Sequence, residues 1–323
     1  MTKTKIVFGV DIGGTNTVFG LVTEEGKCKI ETRFKTQSFV QANDFFKHLA
    51  EKINEEFNKT KNKYDLVGIG IGAPNGNYYR KTIENPPNLN WGIVDVDKVL
   101  NEYFKIPIAV TNDANATAIG ELLFGSGKGM KDLIVITLGT GLGSGIIVNG
   151  KLVHGHDGFA GELGHTNYEP NGRECTCGLK GCLETYASGT GIVRTAIELL
   201  EKSSTSSKLR NFSDRSITSE LIYEEALVGD NIALQCFEFT GKALGSKLAD
   251  AVAVTNPEAI FLLGGLANAG DLIIEPTKKY MEENLFTPFK NKVKILPSGL
   301  INVNAAVLGS AALIWKELKL FSF

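Results

Sequence analysis

Lys5-Ile-Val-Phe-Gly-Val-Asp11-Ile-Gly13-Gly14-Thr15-Asn16-Thr-Val-Phe-Gly-Leu-Val22 lies near the start of the chain. Leu133-Ile-Val-Ile-Thr-Leu138-Gly139-Thr140-Gly141-Leu-Gly143-Ser144-Gly145-Ile-Ile-Val148 repeats its pattern 126 positions later. In each, an apolar run predicts a strand, a Gly-rich turn follows, and a second apolar run predicts another strand. Such a turn leaves backbone N–H groups pointing into an open loop, which suits a phosphate. Neither loop is a P-loop, because no Gly-Lys-Ser/Thr follows, and neither is a Rossmann turn, because a strand rather than a helix comes next. Two such units imply two related halves facing each other, with a nucleotide in the cleft between them. The expected phosphate-binding residues are Gly13, Gly14, Thr15 and Asn16 in the first loop and Gly139, Thr140 and Gly141 in the second. Asp11 would repel a phosphate oxygen, so its expected task is to hold a Mg²⁺ ion or its water shell.

Between and beyond the two loops the chain alternates strands and helices. Phe45, Leu49, Ile53 and Phe57 recur at four-residue spacing, predicting a core-facing helix over 43–57. Leu66 to Gly72 reads as a buried strand, followed by Glu84-Asn-Pro-Pro-Asn88-Leu-Asn90-Trp91, whose amides beside an aromatic suit sugar hydroxyls and suit ordinary turns equally. Ile108 to Val110 delivers Asn112 and Asp113 to a strand-to-helix junction. There the helix dipole favours a charged carboxylate, able to accept a hydroxyl proton or simply to cap the helix. A helix is predicted over 185–200, an exposed polar loop over 202–219, and helix over 220–255 with a break near Gly229 and Asp230. A strand over 259–263 then runs into Gly264-Gly265, a turn that could accept the flat face of an adenine or be no more than a tight connection. A last helix is predicted over 304–318.

The stretch Gly161-Glu162-Leu-Gly-His165, a short polar loop, and Cys175-Thr-Cys177-Gly-Leu-Lys-Gly-Cys182-Leu-Glu184 carries a different chemistry. Three of the chain's five cysteines fall within eight positions, with a His ten residues upstream. His165, Cys175, Cys177 and Cys182 form a Cys₃His set of the kind zinc prefers, and a closed shell of four protein ligands is structural rather than catalytic. Folding the loop around zinc should draw Glu162 and Glu184 toward one place.

Composition narrows the function classes. The 323 residues suffice for two domains of ordinary size. A net charge of −2 with no Lys/Arg-rich run speaks against a nucleic-acid surface. No apolar run is long enough for a signal peptide or a membrane span, so the expected location is cytoplasmic, where thiols stay reduced and available for metal.

These motifs together resemble the repressor, open-reading-frame, kinase (ROK) family of sugar kinases, within the actin and hexokinase fold class. The matching residues are Asp11-Ile-Gly-Gly-Thr-Asn16, Asn112-Asp113-Ala-Asn115-Ala, Leu138-Gly-Thr-Gly-Leu-Gly143, Gly161-Glu162-Leu-Gly-His165, the Cys175 to Glu184 motif, and Gly264-Gly265. The resemblance implies an α/β fold of two actin/ribonuclease-H-like lobes with mixed sheets flanked by helices, an interlobe cleft and a structural zinc knuckle. The smaller lobe is expected over 1–111, joined by a C-terminal helix over 303–323, and the larger over 112–302. It implies transfer of the γ-phosphoryl group of MgATP to the 6-hydroxyl of a hexose, with glucose expected first and an N-acetylhexosamine as the alternative. Asp113 is then the general base. Asn88, Asn112, Glu162, His165 and Glu184 hold the other hydroxyls, His165 serving zinc and sugar through its two ring nitrogens. A homodimer is expected, with no nucleic-acid or membrane partner. A sugar-sensing repressor of the same family is the competing reading, but such proteins carry a helix-turn-helix domain ahead of the first strand, where only four residues precede Lys5 here, and need no base at Asp113.

Overall fold

The computed structural model describes residues 3–87, 89–300 and 304–320. The first motif forms β1 (Thr4–Ile12) and β2 (Asn16–Thr23), paired antiparallel with Asp11 opposite Val18. β3 (Cys28–Lys35) extends this hairpin, and after α1 (Ala42–Thr60) the chain returns as β4 (Tyr64–Gly72), parallel to β1. A small antiparallel sheet of β5 (Gly76–Asn77), β6 (Thr82–Glu84) and β7 (Ile93–Asp95) follows. The short helix α2 (Val96–Leu100) then leads to β8 (Ile108–Thr111), parallel to β4, and to α3 (Asp113–Phe124).

The second motif forms β9 (Leu133–Leu138) and β10 (Leu142–Val148), and β10 turns through Asn149-Gly150, both at positive φ, into β11 (Lys151–Leu152). Helices α4 (Gly189–Lys202), α5 (Ser219–Leu227) and α6 (Asn231–Thr255) precede β12 (Ala259–Leu263), parallel to β9. Helix α7 (Asp271–Asn284), β13 (Lys294–Pro297) and α8 (Ala305–Leu320) complete the described chain. The two five-stranded sheets have the orders β3-β2-β1-β4-β8 and β11-β10-β9-β12-β13. Strand for strand these are the same arrangement, the duplication that the repeated Gly-loop motif predicts.

Some boundaries differ from those read off the sequence. The glycine-rich run 139–145 is mostly strand, because β10 already begins at Leu142. The helix expected from Thr185 starts at Gly189, where Ser188 Oγ accepts the Gly191 N–H at 3.0 Å and caps it, and Leu183–Thr185 is a separate 3-10 turn. The chain forms two compact units, one of Met1–Met130, Gly145–Gly161 and Gly299–Phe323, the other of Lys131–Ser144 and Glu162–Ser298. The division expected at Asn112 thus falls inside the first unit. Helix α3 stays there because it packs on α8: at Gly309 a Cβ would lie 2.3 Å from the Ala116 carbonyl oxygen. The fully buried Glu121 of α3 also accepts N–H groups from Ser126 at 2.7 Å and Gly299 at 3.0 Å.

The core of the first unit is built by Phe45, Phe46, Leu49 and Ile53 of α1 against β1 and β4, with the Trp91 ring 4.7 Å from that of Phe45. Each such side chain contributes about 1.5–3 kcal/mol on burial. On the other side α8 lies with its backbone on the strands. Gly9 and Gly70 are required there, since a Cβ would come within 2.1 Å of the Val307 oxygen or 1.8 Å of the Ser310 oxygen. Among the described residues no helix is long and apolar enough to cross a membrane.

Candidate active site

Asp11 stands at the end of β1 opposite Gly72 of β4, and Asp113 follows β8 directly as the first residue of α3. Because β1, β4 and β8 are adjacent parallel strands, their C-terminal ends deliver both carboxylates to one place, where open α/β sheets bind ligands. Burial first, and then the negative charge of Asp113, raise the Asp11 carboxyl to about 7, while Arg33 pulls it down. Burial also raises Asp113, opposed by the Ala114 N–H that its Oδ1 accepts at 2.8 Å. Asn112 Oδ1 accepts the same N–H at 2.9 Å, so the N-cap of α3 is Asn112 and Asp113 lies within the first turn. With its oxygen committed to the cap, what Asn112 can offer a ligand is its NH₂.

The first Gly loop closes tightly: Gly13 N–H donates to the Asn16 carbonyl at 3.0 Å, and Thr15 and Asn16 are exposed at its tip. In the second loop the carbonyls of Gly139 and Thr140 accept from Gly189 N–H at 2.8 Å and Thr190 Oγ1 at 2.9 Å at the start of α4. The groups that would repel a phosphate are thereby occupied. Gly264 has φ +103, and a Cβ there would lie 2.5 Å from the Leu138 oxygen, so its presence is explained by packing under β9. Gly265 faces open space, with nothing within 4 Å of where its Cβ would be.

The four expected metal ligands converge. The donor atoms of His165, Cys175, Cys177 and Cys182 all lie within 4.8 Å of one another. Gly178 at φ +90 and Gly181 at φ +77 make the turns that bring them together, and the cysteines are free thiols. Cys177 and Cys182 sulfurs are 3.6 Å apart, and Cys175 Sγ is 3.8 Å from His165 Nδ1. A zinc tetrahedron with bonds of about 2.3 Å has edges of about 3.8 Å, so the donor set and its spacing fit that ion. Burial raises the Cys175 thiol and pushes Cys182 up to about 12; the neighbouring sulfurs add to the rise at Cys182, while at Cys175 the Cys177 sulfur adds to it and the Cys182 sulfur opposes it, and a bound cation would favour the thiolates.

The flanking carboxylates are placed differently from each other. Glu184 Oε2 accepts the Leu142 N–H at 2.9 Å, and a Cβ at Gly141 would lie 2.2 Å from that oxygen and displace the carboxylate. Glu184 Oε1 is 3.9 Å from Cys175 Sγ, so this residue touches both the cysteine set and the second Gly loop. Glu162 is exposed and opens the 3-10 turn Leu163–His165, its carbonyl accepting the His165 N–H at 3.1 Å. Gly164 presses on β10, where a Cβ would lie 2.3 Å from the Leu142 oxygen. A bond from Leu183 N–H to the Thr166 carbonyl, 3.0 Å, stitches the His165 turn to the Glu184 turn.

A family model for the ROK family matches residues 7–317. The chain belongs to the ROK family. Among ROK relatives, it is 36% identical to a glucokinase from Halalkalibacterium halodurans over 279 residues, 85% of this chain and 84% of that protein. It is also similar to the crystal structure of a ROK family glucokinase from Streptomyces griseus in complex with glucose and AMPPNP, with a TM-score of 0.79 and 33% identity over 95% of this chain and 98% of the other. A xylose repressor from Bacillus spizizenii is 29% identical over 95% of this chain, which spans 76% of the repressor.

Two residues complete the account of this ROK chain. Asn88 lies outside the described residues. Arg173, which the sequence does not single out, is the fastener of the cysteine loop. Its side chain, 9% exposed, pairs with Glu198 at 2.7 Å. It donates to the carbonyls of Thr185 at 2.6 Å and Gly191 at 3.1 Å and to Thr195 Oγ1 at 2.9 Å, with the Tyr186 ring 4.5 Å away. A lone Arg in a polar loop reads as solvated, and its aromatic partners Tyr186 and Phe239 are 13 and 66 positions further on.

Proposed function

We propose that this protein is an ATP-dependent hexose kinase that transfers the γ-phosphoryl group of MgATP to the 6-hydroxyl of a hexose, glucose first among the candidates. The observation that carries the reading is the pair Asp113 and Asp11 at the strand ends. A carboxyl raised by burial is a better proton acceptor near neutral pH than an ordinary one. Asp113 takes the proton of the attacking hydroxyl while Asn112, Glu162, His165 and Glu184 fix the remaining hydroxyls. Asp11 would hold Mg²⁺ beside the Gly13–Asn16 turn, and that ion would neutralise charge on the phosphates. The turns at 13–16 and at 139–141 each offer backbone N–H groups to a phosphate, and Gly265 offers a flat face to a base. Phosphoryl transfer gains chiefly from such positioning and charge neutralisation. Zinc on His165, Cys175, Cys177 and Cys182 would keep the His165 and Glu184 turns in register, as a closed structural site does. The glucokinase relatives, over most of the chain, support this reading.

The similarity to a xylose repressor favours a second reading, a sugar sensor without turnover. The test for both is ADP release from MgATP, first without sugar and then with glucose, N-acetylglucosamine, N-acetylmannosamine, mannose and fructose at matched concentration. Stimulation by glucose above the others is expected. Stimulation by an N-acetyl sugar would replace the substrate and keep the mechanism, whereas sugar binding without any stimulated release would leave the sensor.

A further inference from the structure

Resting on the kinase reading, we propose that Asn77 is a positioning residue: its buried amide ties the stretch running into Glu162 to the stretch packed on Thr111, next to Asn112 and Asp113. Asn77 lies in β5 and is fully buried. Its Nδ2 donates to the Asp157 carbonyl at 2.7 Å, and its Oδ1 accepts the N–H groups of Tyr79 and Arg80, each at 3.1 Å. A buried amide is costly unless bonded in this way, so the side chain is committed to joining two segments 80 residues apart. Contact across the join is direct: at Gly158, φ +88, a Cβ would lie 2.8 Å from the Asn77 side chain.

Each end of the join leads to a residue assigned to the sugar. On one side, Gly76 abuts β8, where a Cβ would lie 2.2 Å from the Thr111 oxygen, and Ala73 N–H donates to that same oxygen at 3.0 Å. On the other, Ala160 N–H donates to the His154 carbonyl at 3.1 Å, folding 154–160 into a loop that passes through Gly161 to Glu162. Around the amide lie outer contacts. Arg80 pairs with Asp157 and stands 5.7 Å from the Phe159 ring, and the Tyr78 ring stacks on His154 at 3.8 Å. The Arg80 and Asp157 side chains are 42% and 66% exposed, and ion pairs so placed are weak, which leaves the buried amide as the determinant of the join.

Asn77→Asp tests this with almost no change in size. The carboxylate can still accept from Tyr79 and Arg80, but it sets an oxygen against the Asp157 carbonyl where a donor stood. The KM for the stimulating sugar should rise at least tenfold while the KM for MgATP stays within twofold, and amide exchange over 157–161 should quicken. Gly158→Ala attacks the join from its other side and should give the same pattern. An unchanged sugar KM in both variants overturns the proposal. Equal rises in both KM values with a lowered Tm do so too, since they mark a merely structural residue. If the wild type shows no sugar-stimulated turnover, the kinase reading fails by itself, and unaltered exchange over 157–161 in Asn77→Asp would then sink the join independently.

Discussion

Replacing Asp11 by Asn should stabilise the nucleotide-free protein above neutral pH while removing most of its phosphoryl transfer. The Asp11 carboxyl is raised from 3.8 to about 7, chiefly by burial and then by Asp113. The folded protein therefore holds this proton more tightly than the unfolded chain does. The contribution of the group to stability is greatest below the unfolded value near 4, and it is lost as pH rises from there through 7. At about 1.4 kcal/mol per pH unit, the rise from 3.8 to about 7 sets a ceiling of about 4 kcal/mol for ionising it in the fold. Asp11 is only half-buried, and solvent reaching it reduces the expected penalty to roughly 1–3 kcal/mol at pH 8. Asparagine stays neutral and escapes it.

Melting of the metal- and nucleotide-free proteins between pH 5 and 8.5 is the assay. The variant should already melt slightly higher at pH 5, and the gap should widen up to about pH 7 and then hold, with Asp11→Asn melting several degrees higher at pH 8. Adding MgATP should narrow the gap, because the wild type gains a ligand that the variant binds poorly, and kcat of the variant should fall at least 10²-fold. A gap that does not vary with pH would refute the burial argument, as would a variant that melts lower at pH 8. Near-normal turnover would remove Asp11 from the Mg²⁺ role.

Asp113→Asn should lower kcat by about 10²–10⁴, or about 3–5 kcal/mol of barrier, with ATP affinity little changed. Its amide oxygen can still accept the Ala114 N–H, so the fold should survive, and near-normal turnover would exclude Asp113 as the base. Cys177→Ser, or removal of metal with a chelator, should weaken sugar binding more than nucleotide binding when both are measured by titration. Equal loss of both would mean general unfolding.

What could be read from the sequence was what its residues do within a few positions of themselves. The two strand, Gly-turn, strand units are local patterns, and so is the Cys175 to Cys182 spacing, whose intervening Gly178 and Gly181 do take the positive φ the turns need. β3 does carry a signal, Cys28, Ile30, Thr32 and Phe34 alternating with Lys29, Glu31, Arg33 and Lys35 as in an edge strand with one wet face, but it is a period of two and not the apolar run by which the buried strands are read. The meeting of Asp11 with Asp113 could not be read, because it depends on the register of β1 with β4 and of β4 with β8 across a hundred residues. The same holds for the partners of four polar side chains, of which Asn77, Glu121 and Arg173 look like solvated surface in the sequence and Glu184 is already a site candidate. Asn77 finds Asp157, Glu121 finds Gly299, Glu184 finds Leu142, and Arg173 finds Glu198. A polar group whose partner is a neighbour only shapes its own turn. One whose partner comes from a distant segment fixes the position of that segment as well, so a substitution at Asn77 or Glu184 should be felt at Glu162 or the 139–141 loop rather than where it is made. The residues hardest to find in this sequence are therefore the ones whose partners lie in distant segments.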